Sequence, residues 1–182
     1  MQTLQQYDDA IASCKHIFIS KAKDYGTSWR VYRIISVVDQ IYIKAKRIRT
    51  IQERGEQRIG DSITSEFRGI LNYAVIGLLQ LQLPVEGPEE IPVDQLEAWY
   101  DAQVLQARVL MQDKNHDYGE AWRDMQQETF ADMILARLQR IRQILRNEGK
   151  TLMSEGVEAN LYDIINYSVF ALIQIGEGAH AG

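Results

Sequence analysis

Apolar residues recur along this chain at helical spacing, not strand spacing. Between Tyr32 and Arg54, the positions Ile34, Val37, Val38, Ile41 and Ile48 fall on one stripe with the i, i+3, i+4, i+7 pattern of an amphipathic helix. A similar mixture runs from about Leu4 to Lys21 and is interrupted at Asp24-Tyr25-Gly26. Gly55 follows the second stretch, where a glycine suits a left-handed C-terminal cap. Gly60-Asp61-Ser62 opens a third stretch that continues to about Leu83, with Asp61 or Ser62 able to cap its free N–H groups. Strict two-residue alternation is absent, so strands are not expected. The pattern predicts an all-α helical bundle.

The three predicted helices then occur a second time. Residues 21–30 read KAKDYGTSWR and residues 114–123 read KNHDYGEAWR. Lys21, Asp24, Tyr25, Gly26, Trp29 and Arg30 return 93 positions later as Lys114, Asp117, Tyr118, Gly119, Trp122 and Arg123. The register continues through Asp39 and Asp132, Ile41 and Ile134, and Arg47-Ile48-Arg49 and Arg140-Ile141-Arg142. After one inserted residue, Gly55 pairs with Gly149 and Asn72-Tyr73 with Asn166-Tyr167, now 94 positions apart. Repeats at a fixed period mark a duplicated supersecondary unit. The second set of helices is predicted at about 93–113, 128–148 and 153–177, with Gly149 and Ser154 at the repeated turn. All three prolines, Pro84, Pro88 and Pro92, lie in the acidic segment between the copies. The organisation is a first repeat over 1–83, a linker over 84–92 and a second repeat over 93–182. Each repeat's apolar faces are expected to need the other for burial.

Composition narrows the class. With 182 residues, 46% hydrophobic and 25% charged, the chain is long enough for a real core and too apolar for extended disorder. A net charge of −5 lacks the broad basic face of sequence-independent duplex binding, so nucleic acid is not an expected partner. The lone cysteine, Cys14, excludes an internal disulfide framework and multi-cysteine zinc, and is expected in the core. The polar, acidic N-terminus does not resemble a signal peptide, and no apolar run reaches the roughly 18 residues of a bilayer span. A cytoplasmic protein without a membrane partner is expected.

Two groups of residues carry candidate chemistry. In Asp-Tyr-Gly-x-x-Trp-Arg, glycine permits positive φ or close backbone approach, the aromatics offer flat faces, and arginine offers a fork for carboxylate or phosphate. The alternative is a structural loop, with Asp capping the next helix, Trp in the core and Arg paired to Asp. The second group is acidic. Glu155, Ala159 and Asp163 are spaced i, i+4, i+8, Glu158 lies beside them, and Glu128 and Asp132 are one turn apart on the preceding helix. Facing antiparallel helices would gather Asp132, Glu155, Glu158 and Asp163, and such a cluster of oxygen ligands suits Mg²⁺ or Mn²⁺. The alternative is a solvated acidic face. At the aligned positions the first repeat has Ile35, Asp61, Thr64 and Gly69; only Asp39 keeps Asp132, and Glu66 is out of register. A metal site is therefore expected in the second repeat, with the first a degenerate copy. Lys44, Arg47 and Arg49, matched by Arg137, Arg140 and Arg142, form a basic stripe able to hold phosphates or to make surface ion pairs.

The repeated K-x-x-D-Y-G-x-x-W-R, followed by Asp-x(4)-Arg/Lys-x-x-Arg and Asn-Tyr, resembles the nucleotide modification associated domain 1 family, in two copies over nearly the whole chain. By its helices the chain is also similar to the all-α NTP pyrophosphatases, the MazG and dimeric dUTPase group. That resemblance implies Mg²⁺ held by acids on two facing helices and water attack releasing a monophosphate and pyrophosphate. Carried over by position, Glu128 and Asp132 stand for the first acidic pair, and Glu155, Glu158 and Asp163 for the second. Glu158 and Asp163 would be the catalytic acids. Lys114, Arg137 and Arg140 would face phosphate, and Tyr118 and Trp122 the base. Asp117, Arg123, Asn166 and Tyr167 complete the implied nucleotide site. The chain departs from the group's pattern in the five-residue step from Glu158 to Asp163 and in Ala159, where a further acid is usual. The expected function is a Mg²⁺-dependent (deoxy)nucleoside triphosphate pyrophosphohydrolase, monomeric or homodimeric. The alternative is a non-catalytic nucleotide-binding or scaffolding module.

Overall fold

The computed structural model describes residues 2–55, 62–151 and 155–178, and among these it shows six α-helices and no strand. The first repeat supplies α1 (Gln2–Tyr25), α2 (Ile34–Arg54) and α3 (Ile63–Gln82). The second supplies α4 (Val93–Tyr118), α5 (Gln127–Arg146) and α6 (Val157–Gly176). A single 3-10 turn, Ser28–Val31 or Ala121–Asp124, follows each D-Y-G. Among the described residues, no helix is long and apolar enough to cross a membrane.

Local signals explain most helix ends. Gly55 closes α2 at φ 68°, its N–H donating to the Ile51 carbonyl at 2.8 Å. Ser62 caps α3, its hydroxyl accepting from the Ser65 N–H at 3.1 Å. Asp61 and Ser154 lie outside the described residues. Three predicted ends are corrected: α1 reaches Tyr25, past Lys21, α4 reaches Tyr118, past residue 113, and α6 begins at Val157 and not at about 153. Asp and Tyr tolerate a last helical turn, and the chain is turned only by Gly26 at φ 75° and Gly119 at φ 65°. Asp24 and Asp117 therefore end the preceding helix and do not cap the following one.

The two repeats share one core. α3 and α6 are buried over most of their surface and pack against each other at the centre, flanked by α2 and α5 and covered by α1 and α4. A helix that is apolar nearly all round is stable only in such a central position. Side chains from all six helices form a single apolar cluster, which includes Phe18, Ile41 and Phe67 from the first repeat and Met111, Ile134 and Phe170 from the second.

A pseudo-two-fold relation joins the repeats, visible in ion pairs that occur reciprocally. Arg108 binds Asp8 at 2.8 Å and its counterpart Lys15 binds Asp101 at 2.9 Å. Arg49 binds Asp132 at 2.5 Å and its counterpart Arg142 binds Asp39 at 2.9 Å. The same exchange occurs inside the core. Tyr7 donates to Asn166 Oδ1 at 2.7 Å, and its counterpart Tyr100 donates to Asn72 Oδ1 at 2.9 Å. Each asparagine amide then donates within its own repeat, Asn72 to the Cys14 carbonyl and Asn166 to the Ala107 carbonyl, both at 3.0 Å. Residue i meeting j while j meets i is the rule of an isologous dimer contact, here within one chain.

Cys14 sits fully inside this core, and burial pushes its thiol up from 9.0 to about 12. The unfolded chain loses that proton near pH 9 and the folded chain does not, so the unfolded state binds fewer protons and stability falls as pH rises from 9 towards 12. The slope has an upper limit of about 1.4 kcal/mol per pH unit. Cys14→Ala is expected to flatten the alkaline slope of the urea midpoint; identical slopes in both proteins would show that the thiol does not titrate this way.

Candidate functional site

The repeated motif builds the same corner twice. Trp29 and Trp122 turn inward from the 3-10 turns, Trp29 near Phe18 and Trp122 stacked on Phe170 at 4.3 Å. Gln80 Nε2 reaches the carbonyls of Trp29, Arg30 and Tyr32 at 3.2, 3.0 and 2.7 Å. Gln174 Nε2 reaches those of Trp122, Arg123 and Met125 at 2.8, 3.5 and 3.0 Å. One amide thus adds to the two backbone hydrogen bonds of each short turn and reaches carbonyls that the turn leaves open. These glutamines recur 94 positions apart in the register of Asn72 and Asn166, the one signal of their role in the sequence.

The motif arginines are structural. Arg30 donates from Nε to the Pro88 carbonyl at 3.1 Å and from Nη2 to the Pro84 carbonyl at 2.8 Å, holding the linker. The linker also lies against the first loop: a Cβ on Gly26 would stand 2.3 Å from Glu90 Oε2. Arg123 lies over Trp122 and binds Glu120, Glu177 at 2.7 Å, Thr3 at 2.9 Å and Gln6 at 2.7 Å. The Thr3 hydroxyl and then Arg123 hold the Glu120 carboxyl below its ordinary value. Arg123 is thus engaged with α1 and the end of α6 and does not line the cleft beside its motif.

Beside each motif lies a cleft, and the two clefts are lined by corresponding residues. The first, of about 340 Å³, is bounded by Lys21, Tyr25, Trp29, Lys44, Gly69 and Tyr73 among others. The second, of about 140 Å³, is bounded by Lys114, Tyr118, Trp122, Asp163, Asn166 and Tyr167 among others. Of the expected nucleotide residues, the structure brings Lys114, Tyr118, Trp122, Asn166 and Tyr167 to one cleft. Asn166 is occupied by Tyr7 and Ala107 there, and Tyr118 is 78% exposed at the rim. Asp117 faces solvent next to His116, and Arg140 is exposed on α5.

The acids do not gather. Asp163 is buried and doubly paired, Lys114 Nζ standing 2.7 Å from Oδ1 and Arg137 Nη2 3.4 Å from Oδ2. Burial works against the Arg137 charge, and the Tyr167 hydroxyl, Asp163 and Glu155 outweigh it, holding the guanidinium above its ordinary value. Glu155 precedes Gly156 and lies outside α6, so the helical spacing that joined it to Asp163 is not realised. Glu158 is exposed in the first turn of α6, 3.5 Å from the Tyr162 hydroxyl, which burial and then Glu158 push up to about 12. Glu128 is exposed, and Asp132 is committed to Arg49 across the repeat interface. Among the described residues, no three His, Cys, Asp or Glu are placed to hold a metal ion. Glu128, Asp132, Glu155, Glu158 and Asp163 are thus spread over separate places, and Asp163, the buried one of the five, has its charge offset by Lys114 and Arg137.

The model of the family named nucleotide modification associated domain 1 matches residues 21–81 and 114–175. The chain belongs to that family. Each matched segment starts at the cleft lysine, Lys21 or Lys114, and runs through the turn-holding glutamine, Gln80 or Gln174. The family unit in this nucleotide modification associated domain 1 protein is therefore the loop, its clamp and its cleft, present twice. No curated protein and no solved structure matches the chain.

Gln174→Ala removes the side-chain donor from the carbonyls of Arg123 and Met125, while that of Trp122 keeps the Met125 N–H. A loss of about 1–3 kcal/mol of stability is expected, the cost of unsatisfied buried polar groups. Gln80→Ala should behave alike. Urea denaturation of both variants checks this, and a loss below about 0.5 kcal/mol in each would show that the amides do not hold the turns.

Proposed function

We propose that this family member is a nucleotide-binding module that does not hydrolyse its ligand. The observation that carries the reading is the division of charge within the repeats: lysines and aromatic rings line a cleft, while the acids are paired or lie elsewhere. At about 340 Å³ the first cleft falls in the range of small-molecule sites, roughly 300–1,000 Å³. Its cationic side chains suit phosphate, and Tyr25, Tyr32 and Tyr73 offer rings against which a base can pack. The family's name associates the domain with nucleotide modification, and a module that holds a nucleotide is consistent with it.

The pyrophosphohydrolase reading needs several carboxylates around a divalent ion. Here Asp163, its central acid, is neutralised by Lys114 and Arg137. Thermal shift against nucleoside mono-, di- and triphosphates, run with Mg²⁺ and with chelator, is expected to show stabilisation that survives the chelator. Pyrophosphate release from the triphosphates is expected to stay at background. Release that requires Mg²⁺ and disappears in Asp163→Ala would reverse the proposal in favour of the enzyme.

A further inference from the structure

The duplication places two versions of one cleft in the same chain, and they differ at one decisive position. In the second repeat, Lys114 and Arg137 converge on the Asp163 carboxylate. The corresponding residues of the first repeat are Lys21, Lys44 and Gly69. Both cations are kept and the counterpart of Asp163 is missing; the acid that lines the first cleft is Glu66, one turn earlier on its helix. A Cβ on Gly69 would stand 2.9 Å from Lys44 Cε and 3.2 Å from its Nζ, so this lysine lies across bare backbone where the second repeat carries its acid. Lys44 Nζ is 3.9 Å from Glu66 Oε2, a long ion pair, and Arg47 binds the other oxygen at 3.1 Å. Lys21 makes no ion pair among the described residues. Arg68 also lines the cleft and keeps a buried Nε without an acceptor among the described residues. Ala22 and Ile76 stand where the second cleft has Asn115 and Phe170, which adds to the larger volume of the first.

We propose that the first cleft is the ligand site, that it takes a single phosphate group in the place occupied in the second repeat by the Asp163 carboxylate, and that the second cleft is closed by that carboxylate. The proposal rests on the nucleotide-binding reading and gives it a location, a stoichiometry and a ligand class. Lys21, Lys44 and Arg68 line this cleft against a single lining carboxylate, Glu66, and Lys44 lies over Gly69, where the second repeat carries its acid. That matches the terminal phosphate of a nucleoside monophosphate, with Tyr25, Tyr32 and Tyr73 beside it for the base. Asp163 is then an internal anion that satisfies the same pair of cations without a ligand. The first repeat, judged degenerate from its missing acid, is the functional copy because the acid is missing.

The test is calorimetric titration of the full chain with the 5′-monophosphates of the four DNA nucleosides, the bare nucleosides and inorganic phosphate. One site per chain is expected, with inorganic phosphate competing and nucleosides binding roughly tenfold or more weaker than their monophosphates. Lys21→Ala, an exposed position that the fold tolerates, should weaken binding roughly tenfold or more. Gly69→Asp should abolish binding, and Asp163→Gly should raise the stoichiometry to two. Two sites in the unmodified chain, nucleosides binding as tightly as monophosphates, or an unaltered affinity in Lys21→Ala would overturn the inference and leave nucleotide binding standing. No binding of any mono-, di- or triphosphate would remove the nucleotide reading itself. Should Asp163→Gly or Gly69→Asp fail to fold, the stoichiometry of the unmodified chain and Lys21→Ala still decide.

Discussion

Two buried asparagines hold the architecture in register. Asn72 and Asn166 sit on the most apolar helices of the molecule, where an unpaired amide is costly. Each finds a carbonyl in its own repeat and a tyrosine hydroxyl from the first helix of the other. Shifting either repeat along α3 or α6 would break both sets at once. Burial of apolar area is non-directional and by itself discriminates weakly among neighbouring registers. These hydrogen bonds supply the missing specificity, and the exposed reciprocal ion pairs repeat it at the surface.

The same reciprocity explains why two similar copies diverged. Once the repeats share a core, each keeps its packing residues under one common constraint, while the two clefts are free to differ. The linker lies over the first loop through Arg30, Thr27 and Glu90. The second loop is instead tied to the start of α1 and the end of α6 through Arg123. Identical motif residues therefore meet different surroundings. Arg30 and Arg123 occupy the same motif position, yet one holds backbone carbonyls and the other holds carboxylates.

Charge placement distinguishes the two copies. A carboxylate cluster reads from sequence as a metal site, because like charges close together need an outside cation. In the fold, Asp163 meets two cations from α4 and α5, so its charge is offset from within the protein. The repeat that lacks this acid retains cations that face a cleft, with Glu66 the lining acid beside Lys21, Lys44 and Arg68, and a cleft with an excess of positive charge favours an anionic ligand.

Much was legible without coordinates. The helical period predicted six helices, the repeated motif exposed the duplication, and the prolines marked the connection, because each depends on local spacing or on identity at a fixed offset. Gly55 ended a helix through its left-handed backbone and Ser62 began one through its hydroxyl. What the sequence could not place were partners far apart along the chain. Glu155 and Asp163 have helical spacing, but only the start of α6 at Val157 decides that they do not share a helix. Asp132 and Arg49, or Tyr7 and Asn166, are joined by a pseudo-two-fold relation that no linear pattern displays. Whether an acid recruits a metal or meets a lysine depends on which helix lies opposite. Tertiary packing makes that choice, since the energy of a buried charge is set by its neighbours in space.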